Sequence, residues 1–243
     1  MKEKVVLITG GSRGLGKKIV ERLAVNNDSI VCFTYVNPTE IVLKQSQEKK
    51  VYPFLCDQQN EEEVKSAVNS IHSEFGKIDI LINNACPAFT PSDFLDSQWG
   101  SFQSLLDVNV KGAYFFSKEV SRLMKEAHSG KIINILSSYV FNLPPEKIAF
   151  YITAKYALLG LSKALAVELA KYGITVNMIS PGLMATDLSQ YLPRKFLEVY
   201  SKKHPMGRMT TTDDAADILE FLISDKADFL NGVNIPVNGG EMF

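Results

Sequence analysis

The sequence predicts a single doubly wound α/β domain, with a seven-stranded parallel sheet and helices on both faces. Short apolar runs alternate with helix-patterned stretches along the whole chain, the order from which parallel sheets are built. The apolar runs lack polar alternation, as strands buried on both faces must. Four glycines crowd the point where the first run gives way to the first helical pattern. A chain of 243 residues, 46% of them hydrophobic, fits one domain of this kind with a substantial core.

The elements follow in order. VVLIT (5–9) leads into LGKKIVERLAVNN, whose apolar positions are Ile19, Leu23 and Ala24. SIVCFTY (29–35) and VYPFLC (51–56) are the next strands. EEEVKSAVNSIHSEF then shows helical spacing at Val64, Val68 and Ile71. IDILINN (78–84) and KIINILS (131–137) are central strands. YALLGLSKALAVELAKYG is a helix that stops at Gly173. ITVNMIS (174–180) and VNIPV (233–237) complete the sheet. The stretch at about 183–208 reads as a lid, with Leu192, Phe196, Leu197 and Tyr200 on an apolar face and Arg194, Lys195, Lys202 and Lys203 on a basic one.

Composition removes several function classes. The formal net charge of −1 leaves no electrostatic footprint for nucleic acid. The apolar run near the start covers only Val5 to Ile8, too short for a signal-peptide core, and no apolar stretch reaches the length of a membrane span. Cys32, Cys56 and Cys86 are odd in number and far apart, as reduced thiols of a cytoplasmic protein would be. His72, His128 and His204 stand apart from cysteine and carboxylate partners, so no metal site is expected.

Open parallel sheets bind ligands at the carboxyl ends of their strands. VVLITGGSRGLGKK places Gly10, Gly11, Gly14 and Gly16 at such an end. Glycines there let the backbone approach a pyrophosphate, whose charge the helix N-terminus favours. An acid about 20 residues on would mark NAD, but the second strand ends FTYVNPTE, and Glu40 comes too late. Arg13 in the turn is placed to pair with a 2′-phosphate, with Thr34 and Asn37 adding hydrogen bonds. The expected cofactor is therefore NADP. A solvated loop arginine is the plainer role for Arg13.

In AFYITAKYALLG, Tyr151 precedes Lys155 by four residues, which stacks the two side chains on one helix face. Tyr114 with Lys118 and Tyr191 with Lys195 share that spacing. Only Tyr151 opens a helix after an apolar strand ending in serines, Ser137 and Ser138. Tyr114 and Tyr191 are read as packing or surface residues.

Together these motifs resemble the short-chain dehydrogenase/reductase family over essentially the whole chain. The matching stretches are TGGSRGLG, CD at Cys56–Asp57, NNA from Asn83 to Ala85, VNVKG with Asn109, ILSSY with Ser138, YITAK and PGLMAT. The resemblance implies a Rossmann-type domain whose catalytic residues are Asn109, Ser138, Tyr151 and Lys155. It implies cofactor contacts at Gly10, Ser12, Arg13, Gly14, Leu15, Gly16, Thr34, Asn37, Asp57, Asn83, Ala85, Tyr151, Lys155, Pro181, Gly182 and Thr186. Within it, Ser138 orients a substrate carbonyl, Lys155 holds the nicotinamide ribose, Asn109 positions a relay water, and Ser137 is an indirect support.

The chemistry agrees with these roles. A free tyrosine has a pKa near 10, and a neighbouring ammonium favours its phenolate. Tyr151 can then act as general acid in reduction or general base in oxidation. The sequence also departs from the family. Cys86 stands where the family usually has glycine after NNA, followed by Pro87. It is either a packing residue or a reactive thiol, and packing is the simpler role. Phe141 and Leu143 either face the substrate or pack their loop.

The nearest likeness is to 3-oxoacyl-(acyl carrier protein) reductases, which implies an NADPH-dependent ketoreductase, an acyl carrier protein as a possible partner, and a homotetramer. Those reductases often dock the carrier with arginines near the site mouth. Ser129 and Tyr172 stand in the comparable places here, with Lys171 nearby. An alcohol or sugar dehydrogenase working oxidatively and a non-catalytic dinucleotide-sensing module are the alternatives.

Overall fold

Strands β1 (Lys4–Ile8), β2 (Ser29–Tyr35), β3 (Val51–Leu55), β4 (Ile80–Asn83), β5 (Gly130–Ile135), β6 (Ile174–Pro181) and β7 (Asn234–Val237) form one sheet. Its order is β3-β2-β1-β4-β5-β6-β7, and every neighbouring pair is parallel. The computed structural model describes residues 3–25, 29–37, 50–186, 189 and 192–241. The expected positions Glu40 and Tyr191 lie outside them.

Helices α1 (Gly14–Val25), α2 (Glu61–Phe75), α3 (Trp99–Leu106), α4 (Ala113–Ala127), α5 (Ala149–Ala170), α6 (Arg194–Lys203) and α7 (Thr212–Ile223) flank the sheet. β1 shows why the strands carry no polar alternation. Val6 and Ile8 join Leu15, Ile19 and Leu23 of α1 and Leu219 and Leu222 of α7 in one buried cluster. Val5 and Leu7 join Val64, Val68 and Ile71 of α2 and Phe116, Val120 and Met124 of α4 in another. Both faces are therefore core, and each fully buried aliphatic side chain contributes about 1.5–3 kcal/mol.

Local chemistry sets the helix ends. The Asn60 side chain accepts Glu62 N–H at the start of α2, and Gly76 at φ 75° ends it. Thr211 and Asp214 form a reciprocal capping box on α7, and Arg208 clamps the Asp214 carboxylate at 2.6 and 2.9 Å. Gly173, expected as the stop of α5, lies beyond its last residue, Ala170. It adopts φ +73°, where a Cβ would run into the His128 carbonyl.

By length and composition α5 could cross a membrane. Here it packs on the sheet through Ile152, Ala154, Leu158, Ser162 and Ala166.

Between α3 and α4 the chain makes a π-helical turn, Asp107–Gly112. Such turns are uncommon, and they gather at functional sites. The Gln58 amide donates to the Val108 carbonyl at 2.6 Å. Gly112 leaves room for that amide, since a Cβ would come within 2.7 Å of it.

Candidate active site

Strand order reverses at β1, which lies between β2 and β4, and a cavity of about 580 Å³ opens there. This is where open α/β sheets take their ligands.

The glycine turn forms one wall. Gly10 adopts φ +67°, and a Cβ there would sit 3.0 Å from Ala85 Cα, so β1 and the segment after β4 meet backbone to backbone. Gly10, Ser12, Arg13, Gly14 and Leu15 line the cavity. Gly16 does not. Its Cα packs against the Gly10 carbonyl and the Asn84 amide, so it serves close packing inside the turn. Thr34, Asn37, Asp57 and Ala85 line the cavity, as do Pro181, Gly182 and Thr186. The Thr34 hydroxyl accepts Gly10 N–H at 3.2 Å, so this side chain holds the turn. Arg13 is exposed. No carboxylate stands at the end of β2 among residues 34–37.

Asn83 turns away from the cavity. It is buried and donates to Ser117 Oγ at 3.1 Å and Asn134 Oδ1 at 2.8 Å, and Asn134 in turn donates to Ser162 Oγ at 2.7 Å. The strand alternation explains this, because Asn83 points to the same face as Leu81. Asn84 lines the cavity instead and donates to the Thr9 and Gly10 carbonyls at 2.9 and 3.1 Å.

Tyr151 and Lys155 stand on the first turns of α5, and both line the cavity. Lys155 is 3% exposed. Its Nζ donates to the Ile135 carbonyl at 2.9 Å and lies 5.7 Å from the centre of the Tyr151 ring. Burial lowers the Lys155 pKa, and the charge of a Cys86 thiolate opposes that shift. Cys86 is partly exposed, lines the same cavity and contacts the Pro87 carbonyl.

Ser138 begins a 3₁₀ turn, Ser138–Val140, and Ser137 Oγ accepts Tyr139 N–H to cap it. Ser137 and Tyr139 line the cavity wall. Ser138 is fully buried, and its Oγ has no hydrogen-bond partner among the described residues. Asn109 sits inside the π-helical turn and donates to the Leu105 carbonyl at 2.9 Å. Its Oδ1 is likewise buried without a partner. Neither Ser138 nor Asn109 lines the cavity, though their chain neighbours Ser137, Tyr139 and Val108 do, and a buried polar atom without a partner calls for one that a ligand or water can supply. With the glycine cradle, these two orphaned atoms fit a nicotinamide dinucleotide and a carbonyl substrate.

The other expected residues fall elsewhere. Lys118 lies over the Tyr114 ring at 5.7 Å and pairs with Glu61, so that pair is a surface feature of α4. Phe141 packs against Leu136, Val140, Leu158 and Met178, and Leu143 is 86% exposed. Neither lines the cavity. Tyr172 carries Lys125 and Lys171 over its ring at 4.7 and 5.1 Å. Sequence reasoning missed Phe89, Gln58, Tyr139 and Leu183 on the wall. The signal for Phe89 was its place just after the carboxyl end of β4.

A family model described as enoyl-(acyl carrier protein) reductase matches residues 10–241. The 3-oxoacyl-[acyl-carrier-protein] reductase FabG of Buchnera aphidicola subsp. Baizongia pistaciae is 37% identical over 240 residues, 98% of this chain and 97% of that protein. The crystal structure of 3-ketoacyl-(acyl-carrier-protein) reductase from Brucella melitensis complexed with NADH superimposes with a TM-score of 0.91 at 29% identity, covering 100% of this chain and 99% of that one. ElxO with NADP bound gives 0.89 at 31% identity, with 98% of each chain covered.

Proposed function

The chain belongs to the short-chain dehydrogenase/reductase family, and from that premise we propose that it reduces a ketone to a secondary alcohol with NADPH, the substrate being a 3-oxoacyl thioester or a related biosynthetic ketone. The observation that carries this reading is the buried Lys155 ammonium beneath Tyr151 at the cavity wall.

When bound, the dinucleotide supplies the hydride. Tyr151 then delivers its phenolic proton to the carbonyl oxygen, because the Lys155 charge favours loss of that proton. Ser138 donates its otherwise unpartnered hydroxyl to the same oxygen and orients it. Lys155 holds the nicotinamide ribose, and Asn109 fixes a water through its free Oδ1, so that Tyr151 is reprotonated from solvent. This apparatus acts on an oxygen, which favours the ketone named by the relatives over the enoyl group in the family description.

The choice of NADPH rests on the absence of a carboxylate at the end of β2 and on the exposed Arg13 beside the cavity, with its guanidinium suited to a phosphate. A carrier-linked substrate fits the relatives, and the lysines around Tyr172 offer positive charge to an acidic carrier. Exposed Val167 and Phe229 support assembly into a homotetramer, which size-exclusion chromatography with light scattering tests. A cytoplasmic location completes the proposal.

The deciding experiment measures NADPH and NADH oxidation with 3-oxoacyl thioesters, small ketones and sugars. Turnover of the thioesters with NADPH is expected. Binding of NADPH without turnover on any of these substrates would instead mark a dinucleotide-sensing module, and oxidation of alcohols or sugars with little reduction would mark a dehydrogenase.

A further inference from the structure

The roles above leave one aromatic ring unused. Phe89 lies flat on the ring of Tyr151, with centroids 4.9 Å apart and planes 14° apart. It is half-buried and lines the main cavity. With Ile148 and Tyr151 it also walls a small neighbouring hollow of about 20 Å³, so these three side chains form a partition between the two spaces.

The loop that carries the ring is tied to its neighbour. Ser92 N–H donates to the Lys147 carbonyl at 3.1 Å, and Lys147 Nζ pairs with Asp93 at 3.1 Å. Lys147 itself adopts φ +70°, a left-handed conformation that costs a residue with a side chain about 1–2 kcal/mol. Strain of that kind persists where surrounding contacts over-determine it. Here the contacts join the loop carrying Phe89 to the loop that enters α5 just before Tyr151.

A carbonyl that takes the Tyr151 proton must lie at the hydroxyl edge of this stacked pair. Its carbon then carries two groups, one of which falls on the side that Phe89 covers. Phe89 narrows that side, its ring centroid 4.9 Å from that of Tyr151. Resting on the ketoreductase reading, we propose that Phe89 is a specificity-determining residue. It admits only the smaller of the two carbonyl substituents to the side of Tyr151 that it covers. An unsymmetrical ketone is thereby turned one way, and one alcohol enantiomer is formed.

The test uses N-acetylcysteamine thioesters of 3-oxobutanoate and 4-methyl-3-oxopentanoate, whose carbonyls bear a methyl and an isopropyl group. Wild type, Phe89→Ala, Phe89→Leu and Phe89→Tyr are compared by the ratio of kcat/KM on the two substrates and by the enantiomeric ratio of the product. Wild type is expected to favour the methyl substrate by about 10-fold or more, the scale on which a shaped pocket sorts small apolar groups, and to give one enantiomer in large excess. Phe89→Ala should bring both ratios towards unity, Phe89→Leu should fall between, and Phe89→Tyr should keep them. Both ratios are independent of the amount of folded enzyme, and Phe89→Leu carries the comparison if the alanine variant does not fold. Unchanged ratios in Phe89→Ala or Phe89→Leu, even with lower rates, overturn the proposal, as does a wild type without preference. A wild type that binds NADPH yet reduces no ketone brings down the ketoreductase reading itself, before any variant is made.

Discussion

The side chain of Gln58 donates to the carbonyl of Val108 at 2.6 Å. This bond joins the segment after β3 to the π-helical turn that holds Asn109. Gln58→Ala leaves the Val108 carbonyl without its donor and opens space beside Gly112. An unsatisfied buried acceptor costs about 1–3 kcal/mol, which should appear as a lower Tm. Turnover should fall, because the turn supports Asn109, and KM for NADPH should rise modestly, because Gln58 also lines the cavity.

Tyr151→Phe keeps the ring and its stack on Phe89 and removes only the proton. Turnover should fall by about 10²–10⁴-fold, the scale of a lost general acid. NADPH binding and thermal stability should persist. Single-turnover kinetics with saturating NADPH check this, and near-normal rates would refute the assignment.

Lys155→Met should alter the dependence of stability on pH. Burial lowers the pKa of Lys155, so the charged form is disfavoured in the folded state. The unfolded chain binds the proton more tightly, and stability rises as pH climbs from the lowered folded pKa towards the ordinary value near 10.4. That cost is full only below the lowered folded value. In Lys155→Met the rise of stability with pH should vanish, the Ile135 carbonyl loses its donor at a cost of about 1–3 kcal/mol, and turnover should collapse. Differential scanning calorimetry of both proteins across neutral and alkaline pH checks the slope.

The three thiols should react at different rates. Burial pushes Cys56 up to about 12 and raises Cys32 as well, while Cys86 lines the open cavity. Iodoacetamide at pH 8 should therefore label Cys86 alone in the native protein, and NADPH should slow the reaction. Peptide mass spectrometry before and after denaturation reads the sites.

The start of α7 should weaken in acid. Arg208, together with the hydroxyl and backbone of Thr211, holds the Asp214 carboxyl well below the usual carboxylate range. A depressed carboxylate contributes stability that is full above its unfolded pKa, near 3.9, and fades as pH falls through that value towards the folded one. Thr211→Ala should cost about 1 kcal/mol, the usual worth of an N-cap, as urea unfolding will measure.

Strand and helix identities were legible because burial on both faces leaves uninterrupted apolar runs, and α1 and α2 follow their helical spacing closely. The placing of the glycine turn after β1 and of Tyr151 and Lys155 on one face of α5 was legible, because turn and helix geometry fix such spacings. Asn83 was misplaced for want of strand phase. Whether it or Asn84 faces the cavity depends on which residue ends β4, and the motif does not say. The π-helical turn was invisible, and the Gln58 amide that bonds to it comes from fifty residues earlier in the chain. The stack of Phe89 on Tyr151 was invisible too, because it brings together two loops far apart in sequence.

The chain of amides and hydroxyls from Ser117 through Asn83 and Asn134 to Ser162 has a bearing on ancestry. Each member is buried, so replacing one alone strands the next. Drift at these four positions should be correlated, with descendants either inheriting the set or exchanging linked members together. A multiple alignment across the family would reveal that as paired changes linking β4, β5, α4 and α5.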